Sequence, residues 1–179
     1  MVAAPAASVA LVEAAKAGDE GAFEQLLQPL LDPAYRLACV MVQDRHLAED
    51  VVQEAAFKAW RKLSQLRDGP QMRPWFLSIV ANQCRSERRS RRFASPQDLR
   101  DVPDEPSPDD AAVAGIELRA AVRAMDVDKR LIVVLHWYLD LPVTEIAAIS
   151  HVSVHAAESR LVRATQELRS RLEAGRGRH

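Results

Sequence analysis

The sequence has few of the features that mark secreted or membrane-bound proteins. Its two cysteines, Cys39 and Cys84, lie far apart and form no CxxC pair, which excludes a disulfide framework and a four-cysteine zinc site. No apolar run approaches the roughly 18 residues that a transmembrane helix needs. The alanine-rich start has no basic residue before Lys16, so it is a poor secretory signal. We therefore expect a protein of the reducing cytoplasm that does not insert into a membrane.

Glycine and aromatic residues are also scarce. The 179 residues include 6 glycines and 5% aromatics but 29 alanines. Because alanine enters a helix at the lowest free-energy cost and glycine at a high one, this balance favours helices. Apolar residues recur at helical spacing, and no alternating strand pattern is present. The sequence predicts an all-α fold.

Charge is segregated along the chain. The net charge of −1 combines −6 in residues 1–57, +8 in 58–92, −5 in 93–110, −1 in 111–157 and +3 in 158–179. This pattern indicates an anionic partner for the two basic segments and a different partner for the acidic ones. Arginine outnumbers lysine 20 to 4, which fits either phosphate binding or genomic base composition.

The composition changes sharply between Ala94 and Asp110. This stretch holds four prolines, six acidic residues and almost no large apolar side chains, so it cannot build a packed core. We predict an acidic, Pro-rich linker at 93–110 that joins two small helical domains, 1–92 and 111–179.

In the first domain, Asp19 is a predicted N-cap, and Pro29 and Pro33 are expected to interrupt or kink the helix that follows it. A third helix is predicted from about Leu47 to Leu63, and a fourth from near Trp75 to Arg92. The apolar stripe of the third helix is predicted to consist of Val51, Ala55, Phe57 and Trp60.

In the second domain, helices are predicted at 111–125, 128–139 and 142–149, the last with Pro142 at its first position. Ser153 is the predicted N-cap of a final helix. A short helix, a three-residue turn and a longer helix is the helix-turn-helix arrangement, whose second helix enters the major groove of DNA. An ordinary antiparallel helix pair with a basic outer face is the alternative.

A second basic segment lies at 85–92, where five of eight residues are arginines. They could neutralise phosphates or complement the dipole at a helix C-terminus. Trp75 and Phe76 lie nearby and suit either stacking with unpaired bases or core packing.

Signals for catalysis are weak. The chain has no Gly-rich phosphate loop, HExxH or GxSxG motif. His151 and His155 are four residues apart, but they straddle the predicted turn and have no evident third ligand. We expect no enzymatic activity, cofactor, metal or small-molecule substrate.

Several motifs, in order, resemble the extracytoplasmic-function sigma factors of bacterial RNA polymerase. They are Gly18-Asp19 with Ala22-Phe23, the block from Ala48 to Glu54 with Ala59-Trp60-Arg61, Arg73-Pro74-Trp75-Phe76-Leu77 with Ile79, Ala81 and Asn82, Arg130 to Leu135, Leu139 to Ala147, and Ser159 to Ala164. The resemblance covers nearly the whole chain, and its specificity lies in the order and spacing of these blocks.

The resemblance implies a factor that binds core polymerase and directs it to promoters. The residues implied in contact with the β′ clamp helices are Glu49, Asp50, Gln53 and Glu54. Those implied at the −10 element are Arg73, Trp75, Asn82, Arg85, Arg88, Arg89 and Arg92. Those implied at the −35 element are His155, Glu158, Ser159, Arg160 and Arg163. The polymerase β subunit and an anti-sigma factor are further implied partners. A helix-turn-helix regulator that acts without polymerase is the alternative function.

The chain departs from the family pattern at five places, two of which are Ser86 for the usual Asp and Met125-Asp126 for the usual Leu-Pro. The aromatic residue after Gln53-Glu54 is displaced by one position, to Phe57. His151 stands where the turn usually has glycine, and His155-Ala-Ala-Glu158 replaces the usual Gly-Thr-Val-Lys. The last two departures bear on −35 recognition.

Overall fold

The computed structural model describes residues 9–66, 71–94 and 113–176, and these residues are helical apart from short turns. None of them forms a strand, so the predicted all-α fold is confirmed. The chain divides into two units, Met1–Ala94 and Ser95–His179. Positions 95–110 of the predicted linker lie outside the described residues. No helix within the described ranges has both the length and the apolar character needed to cross a membrane.

The first unit contains α1 (Val9–Lys16), α2 (Glu20–Val42), α3 (Arg45–Arg61), a 3₁₀ turn (Leu63–Gln65) and α4 (Met72–Ala94). Asp19 and Asp44 are the N-caps of α2 and α3, and each carboxylate accepts a backbone N–H at 3.0 Å. Each bond satisfies an N–H group that has no partner within its helix. Helices α2, α3 and α4 pack against one another.

The two prolines of α2 do not divide it. The helix runs continuously for 23 residues through Pro29 and Pro33, so the expected interruption is wrong. A proline inside a helix removes a hydrogen bond and crowds the preceding turn. Burial of one apolar side of α2, including Leu26, Leu30 and Leu37, outweighs that cost.

The inner side of α3 is lined by small residues at helical spacing, Ala48, Val51, Ala55 and Ala59, all of which are buried. The predicted place of Phe57 in this stripe is wrong, because its side chain is 56% exposed. Two residues correspond to about 200° of helix rotation, so Phe57 lies on the side opposite Ala55.

The second unit contains α5 (Val113–Arg123), α6 (Val127–Val133), a π-helical turn (Val134–Tyr138), α7 (Val143–Ser150) and α8 (Val154–Arg176). The single helix predicted at 128–139 is therefore an α-helix followed by a π turn. Helix α8 packs against α5, α6 and α7. Leu168 of α8 packs against buried Met125 and Val133.

Helices α7 and α8 are joined by a tight turn at 151–153. His151 ends α7 with a left-handed backbone, at φ 54°, and the Ser153 hydroxyl accepts the N–H of Ala156 at 3.2 Å. The predicted Ser153 cap is confirmed. Pro142 precedes α7 as its N-cap residue and does not occupy its first helical position.

Candidate functional site

One face of α3 is polar and acidic. Glu49, Asp50, Gln53 and Glu54 are all exposed. Their spacing places them on one side of the helix, away from the buried Ala48, Val51 and Ala55. Lys58 pairs with Glu54, its Nζ lying 3.3 Å from Glu54 Oε1. The face therefore presents three carboxylates together, as a surface for a basic partner requires.

An open groove of about 680 Å³ lies between this face and α4. Asp50, Gln53, Glu54 and Phe57 line it from α3, and Gln83 and Glu87 line it from α4. Sequence reasoning did not select these two α4 residues. The one available signal was that Glu87 is the only acidic residue within the arginine-rich segment 85–92.

A chain of hydrogen bonds crosses from α3 to α4 beside the groove. The Lys58 ammonium donates to Gln83 Oε1, and Gln83 Nε2 donates to Glu87 Oε1 at 3.2 Å. Together with the Lys58–Glu54 ion pair, these bonds connect carboxylates from both helices. The side chains at this edge are thus held in place before any partner binds.

Helix α4 also carries a stripe that leads from an aromatic to a basic residue. Trp75, Ile79, Asn82, Ser86 and Arg89 follow one another at intervals of three or four residues, which aligns them along the helix. Trp75 is half-buried, Asn82 and Arg89 are exposed, and neighbouring Phe76 is fully buried. The predicted aromatic pair is therefore split, with Phe76 in the core and Trp75 at the surface.

The arginines of α4 have different environments. Arg85 Nη1 donates to Asn82 Oδ1 at 3.2 Å, so two predicted −10 residues form a pair. Arg88 Nη1 donates to the carbonyl of Met41 at 3.0 Å, in the last turn of α2. Arg73 is half-buried. The side chain of Arg92 lies outside the described residues.

The first turns of α8 present the residues predicted to read the −35 element. His155, Glu158, Arg160 and Arg163 are exposed, and Ser159 is half-buried. His155 Nδ1 lies 3.9 Å from Glu158 Oε2. Arg163 Nε donates to the backbone carbonyl of Ser159 at 3.2 Å. The first turns of α8 thus present the carboxylate of Glu158 and the guanidinium groups of Arg160 and Arg163 close together at the surface.

The two cysteines are free thiols. Cys84 is buried, and burial raises its pKa to about 12, so its thiol stays protonated and unreactive. Cys39 is half-buried. A hydrogen bond with Cys39 is the main reason that the pKa of Tyr35 is raised.

Comparison with known proteins assigns both units to one family. The Sigma-70 region 2 model matches residues 23–94, and the Sigma-70, region 4 model matches residues 116–168. The chain is 30% identical to RNA polymerase sigma factor NccH of Alcaligenes xylosoxydans xylosoxydans, over 95% of this chain and 97% of NccH. It is 26% identical to ECF RNA polymerase sigma factor SigL of Mycobacterium tuberculosis H37Rv, over 92% of this chain and 97% of SigL. The chain belongs to the extracytoplasmic-function sigma factors of the sigma-70 family.

A solved structure gives the same result for this sigma factor. CnrH, in complex with the cytosolic domain of CnrY, matches it with a TM-score of 0.73 and 26% identity, over 94% of this chain and 98% of CnrH. This sigma factor binds core RNA polymerase and directs the initiation of transcription at promoters. Sigma factors are initiation factors and not catalysts. A regulator that acts without polymerase is not favoured, because the region 2 match contains the Glu49–Arg61 block.

Proposed function

We propose that the two units divide the recognition of polymerase and promoter. In this proposal residues 1–92 bind core polymerase and the −10 element, residues 111–179 bind the −35 element, and the acidic segment 93–110 links them. The observation that carries the proposal is the separation of charge within the first unit. An acidic face on α3 and an aromatic-to-basic stripe on α4 suit two partners of opposite charge.

The acidic face of α3 is the proposed polymerase contact. Glu49, Asp50, Gln53 and Glu54 would meet the β′ clamp helices, and a contact with the β subunit is proposed in addition. Exposure of all four side chains supports this assignment, because carboxylates buried in the core could not reach a partner.

The stripe on α4 is the proposed −10 contact. Arginines would neutralise phosphates, Trp75 would stack with an unpaired base, and Asn82 would offer an amide to DNA. Arg89 is exposed, whereas Arg88 is held by the Met41 carbonyl. We therefore expect Arg89 to contribute more to phosphate binding than Arg88.

The first turns of α8 are the proposed −35 contact. His155, Glu158 and Ser159 would lie near base edges in the major groove, and Arg160 and Arg163 would contact the backbone. The Ser153 cap and the exposure of His155 and Glu158 support this assignment.

We further propose that an anti-sigma factor holds this chain, by analogy with CnrH, whose structure includes the cytosolic domain of CnrY. The proposed place of action is the cytoplasm, where core polymerase works. No enzymatic activity, cofactor or small-molecule substrate is part of the proposal.

Charge reversal tests the polymerase contact. Changing Asp50→Lys and Glu54→Lys together should abolish co-purification with core polymerase and promoter-dependent transcription in vitro. The same change at Glu20 and Glu24, which are exposed on α2, serves as the matched control and should preserve both. Co-purification that survives reversal at Asp50 and Glu54 would reject the proposed contact.

A further inference from the structure

The exposure of Phe57 stands out on the surface of the first unit. Its side chain is 56% exposed, and it lies at the groove between α3 and α4. Single exposed apolar residues are common on protein surfaces and need no explanation by themselves. Phe57 differs because it lies beside carboxylates in a groove.

The displacement of the aromatic residue by one position explains this exposure. One residue corresponds to about 100° of helix rotation. Ala56 occupies the position at which other members of the family usually have an aromatic residue, and it is half-buried. Moving the ring to position 57 therefore turns it out of the helix packing and into the groove.

The surroundings of Phe57 are organised by contacts within the first unit. The Arg61 guanidinium lies over the ring, 5.7 Å from its centroid. One turn before the ring, Glu54 pairs with Lys58, which in turn donates to Gln83 on α4. A ring with ordered neighbours loses little conformational freedom on binding, which favours its use as an anchor.

The charge of the groove indicates the kind of partner. Asp50, Glu54 and Glu87 line it, and the nearby cations are Lys58, which pairs with Glu54, and Arg61, whose guanidinium lies over the Phe57 ring. Three carboxylates against two cations favour a basic occupant, and the exposed ring favours one that also offers an apolar side chain. Asp50, Gln53 and Glu54 belong both to this groove and to the proposed polymerase face, so the two surfaces are continuous.

We infer that Phe57 is an apolar anchor for core RNA polymerase, and that Glu87 on α4 extends the acidic contact beyond α3. This inference rests on the proposed function of the α3 face. Interfaces concentrate binding energy in a few aromatic or arginine residues surrounded by polar ones. Phe57, with acidic neighbours on both helices, matches that arrangement.

Equilibrium binding of the fluorescently labelled full chain to purified core polymerase tests the inference. Phe57→Ala should weaken binding about tenfold or more, and Phe57→Leu should keep the affinity within about threefold because it retains an apolar side chain. Val9→Ala is the control, since Val9 is 70% exposed on α1 and should leave the affinity unchanged. Thermal unfolding of each variant verifies that the fold is intact. Phe57→Gln, which introduces a good helix former without a ring, is a second variant and should weaken binding as much as Phe57→Ala does.

Salt dependence separates the two kinds of contact. The loss caused by Phe57→Ala should persist at high salt, because an apolar contact is not screened. The loss caused by Glu87→Gln should shrink as salt increases, because exposed charges are screened.

Asp50→Lys in the same assay distinguishes the inference from the proposed function. If Asp50→Lys abolishes binding while Phe57→Ala behaves like Val9→Ala, the anchor role is overturned and the polymerase face stands. If neither change weakens binding, the proposed face fails and the anchor role fails with it. If Phe57→Ala preserves polymerase binding but weakens binding of an anti-sigma factor, the groove serves that partner and the inference is overturned.

Discussion

Arg130 Nη2 donates to the backbone carbonyl of Met125 at 3.1 Å, and the arginine is 1% exposed. The same guanidinium donates to the carbonyls of Val122, at 3.1 Å, and Arg123. It thereby supplies donors to two carbonyls in the last turn of α5 and to one just beyond it, where intrahelical donors run out. A buried positive charge is costly unless it is well bonded, so these contacts hold the start of α6 against the end of α5.

Arg130→Met should therefore destabilise the second unit strongly. The change removes a donor from the carbonyls of Arg123 and Met125, whereas the Val122 carbonyl keeps the N–H of Met125. The expected cost is about 1–3 kcal/mol of unfolding free energy for each buried carbonyl that is left unsatisfied. Urea unfolding of the full chain, followed by circular dichroism, measures it. Arg169→Met, at an exposed position of α8, is the control and should cost little. A loss below about 1 kcal/mol for Arg130→Met would show that the carbonyls find other partners.

The arginines of α4 should differ in their effects on DNA binding. Arg89→Ala should reduce the slope of log affinity against log salt by about 0.7–0.9, the value for one phosphate contact. Arg88→Ala should change the slope less and should lower thermal stability, because it releases the Met41 carbonyl. Promoter binding by the holoenzyme at several salt concentrations measures both slopes. Equal slope changes for the two variants would contradict this distinction.

Glu158→Lys tests how α8 recognises the −35 element. A carboxylate near phosphates is unfavourable unless it accepts a hydrogen bond, for instance from a cytosine amino group, which provides about 1–3 kcal/mol of discrimination. The variant should therefore lose its preference at one −35 position, measured by selection from a randomised −35 library. Glu173→Lys, exposed near the end of α8, is the control. Uniformly tighter binding with unchanged preference would mean that Glu158 does not contact a base.

His151→Gly should stabilise the helix-turn-helix. The backbone at position 151 is left-handed, at φ 54°, a conformation that costs a residue with a β-carbon about 1 kcal/mol relative to glycine. The variant should gain up to that amount and unfold a few degrees higher in a thermal melt. His151→Ala removes the imidazole but keeps the β-carbon, so it should show no such gain. An equal gain in stability for His151→Ala would show that loss of the imidazole, and not relief of the left-handed backbone, causes the effect.

Local features were predictable from the sequence because their causes lie within a few residues. Asp19 and Ser153 were identified as N-caps from residue type and position, and their hydrogen bonds span three residues. The apolar spacing likewise predicted the helices, and the family resemblance singled out Glu49, Asp50, Gln53 and Glu54, which the structure places at the surface of α3. The assignment of particular side chains to polymerase and promoter stays a prediction.

Other features were decided only by tertiary packing. The continuity of α2 through Pro29 and Pro33 depends on the apolar side that it buries against its neighbours. Phe57 looked like a core residue, but Ala55 and Ala59 determine which side of α3 faces inward. Arg88 looked like one of five equivalent arginines until the fold brought it to a carbonyl 47 positions away.

The groove between α3 and α4 is also a feature that only tertiary packing decided. Lys58 and Gln83 are 25 positions apart, and no local pattern joins Glu87 to the acidic residues of α3. Sequence by itself therefore determined the helical class, the caps and the family, because each is encoded in short-range spacing and in the order of motifs. Only the tertiary structure decided which residues share a surface, because that depends on which helix faces pack together.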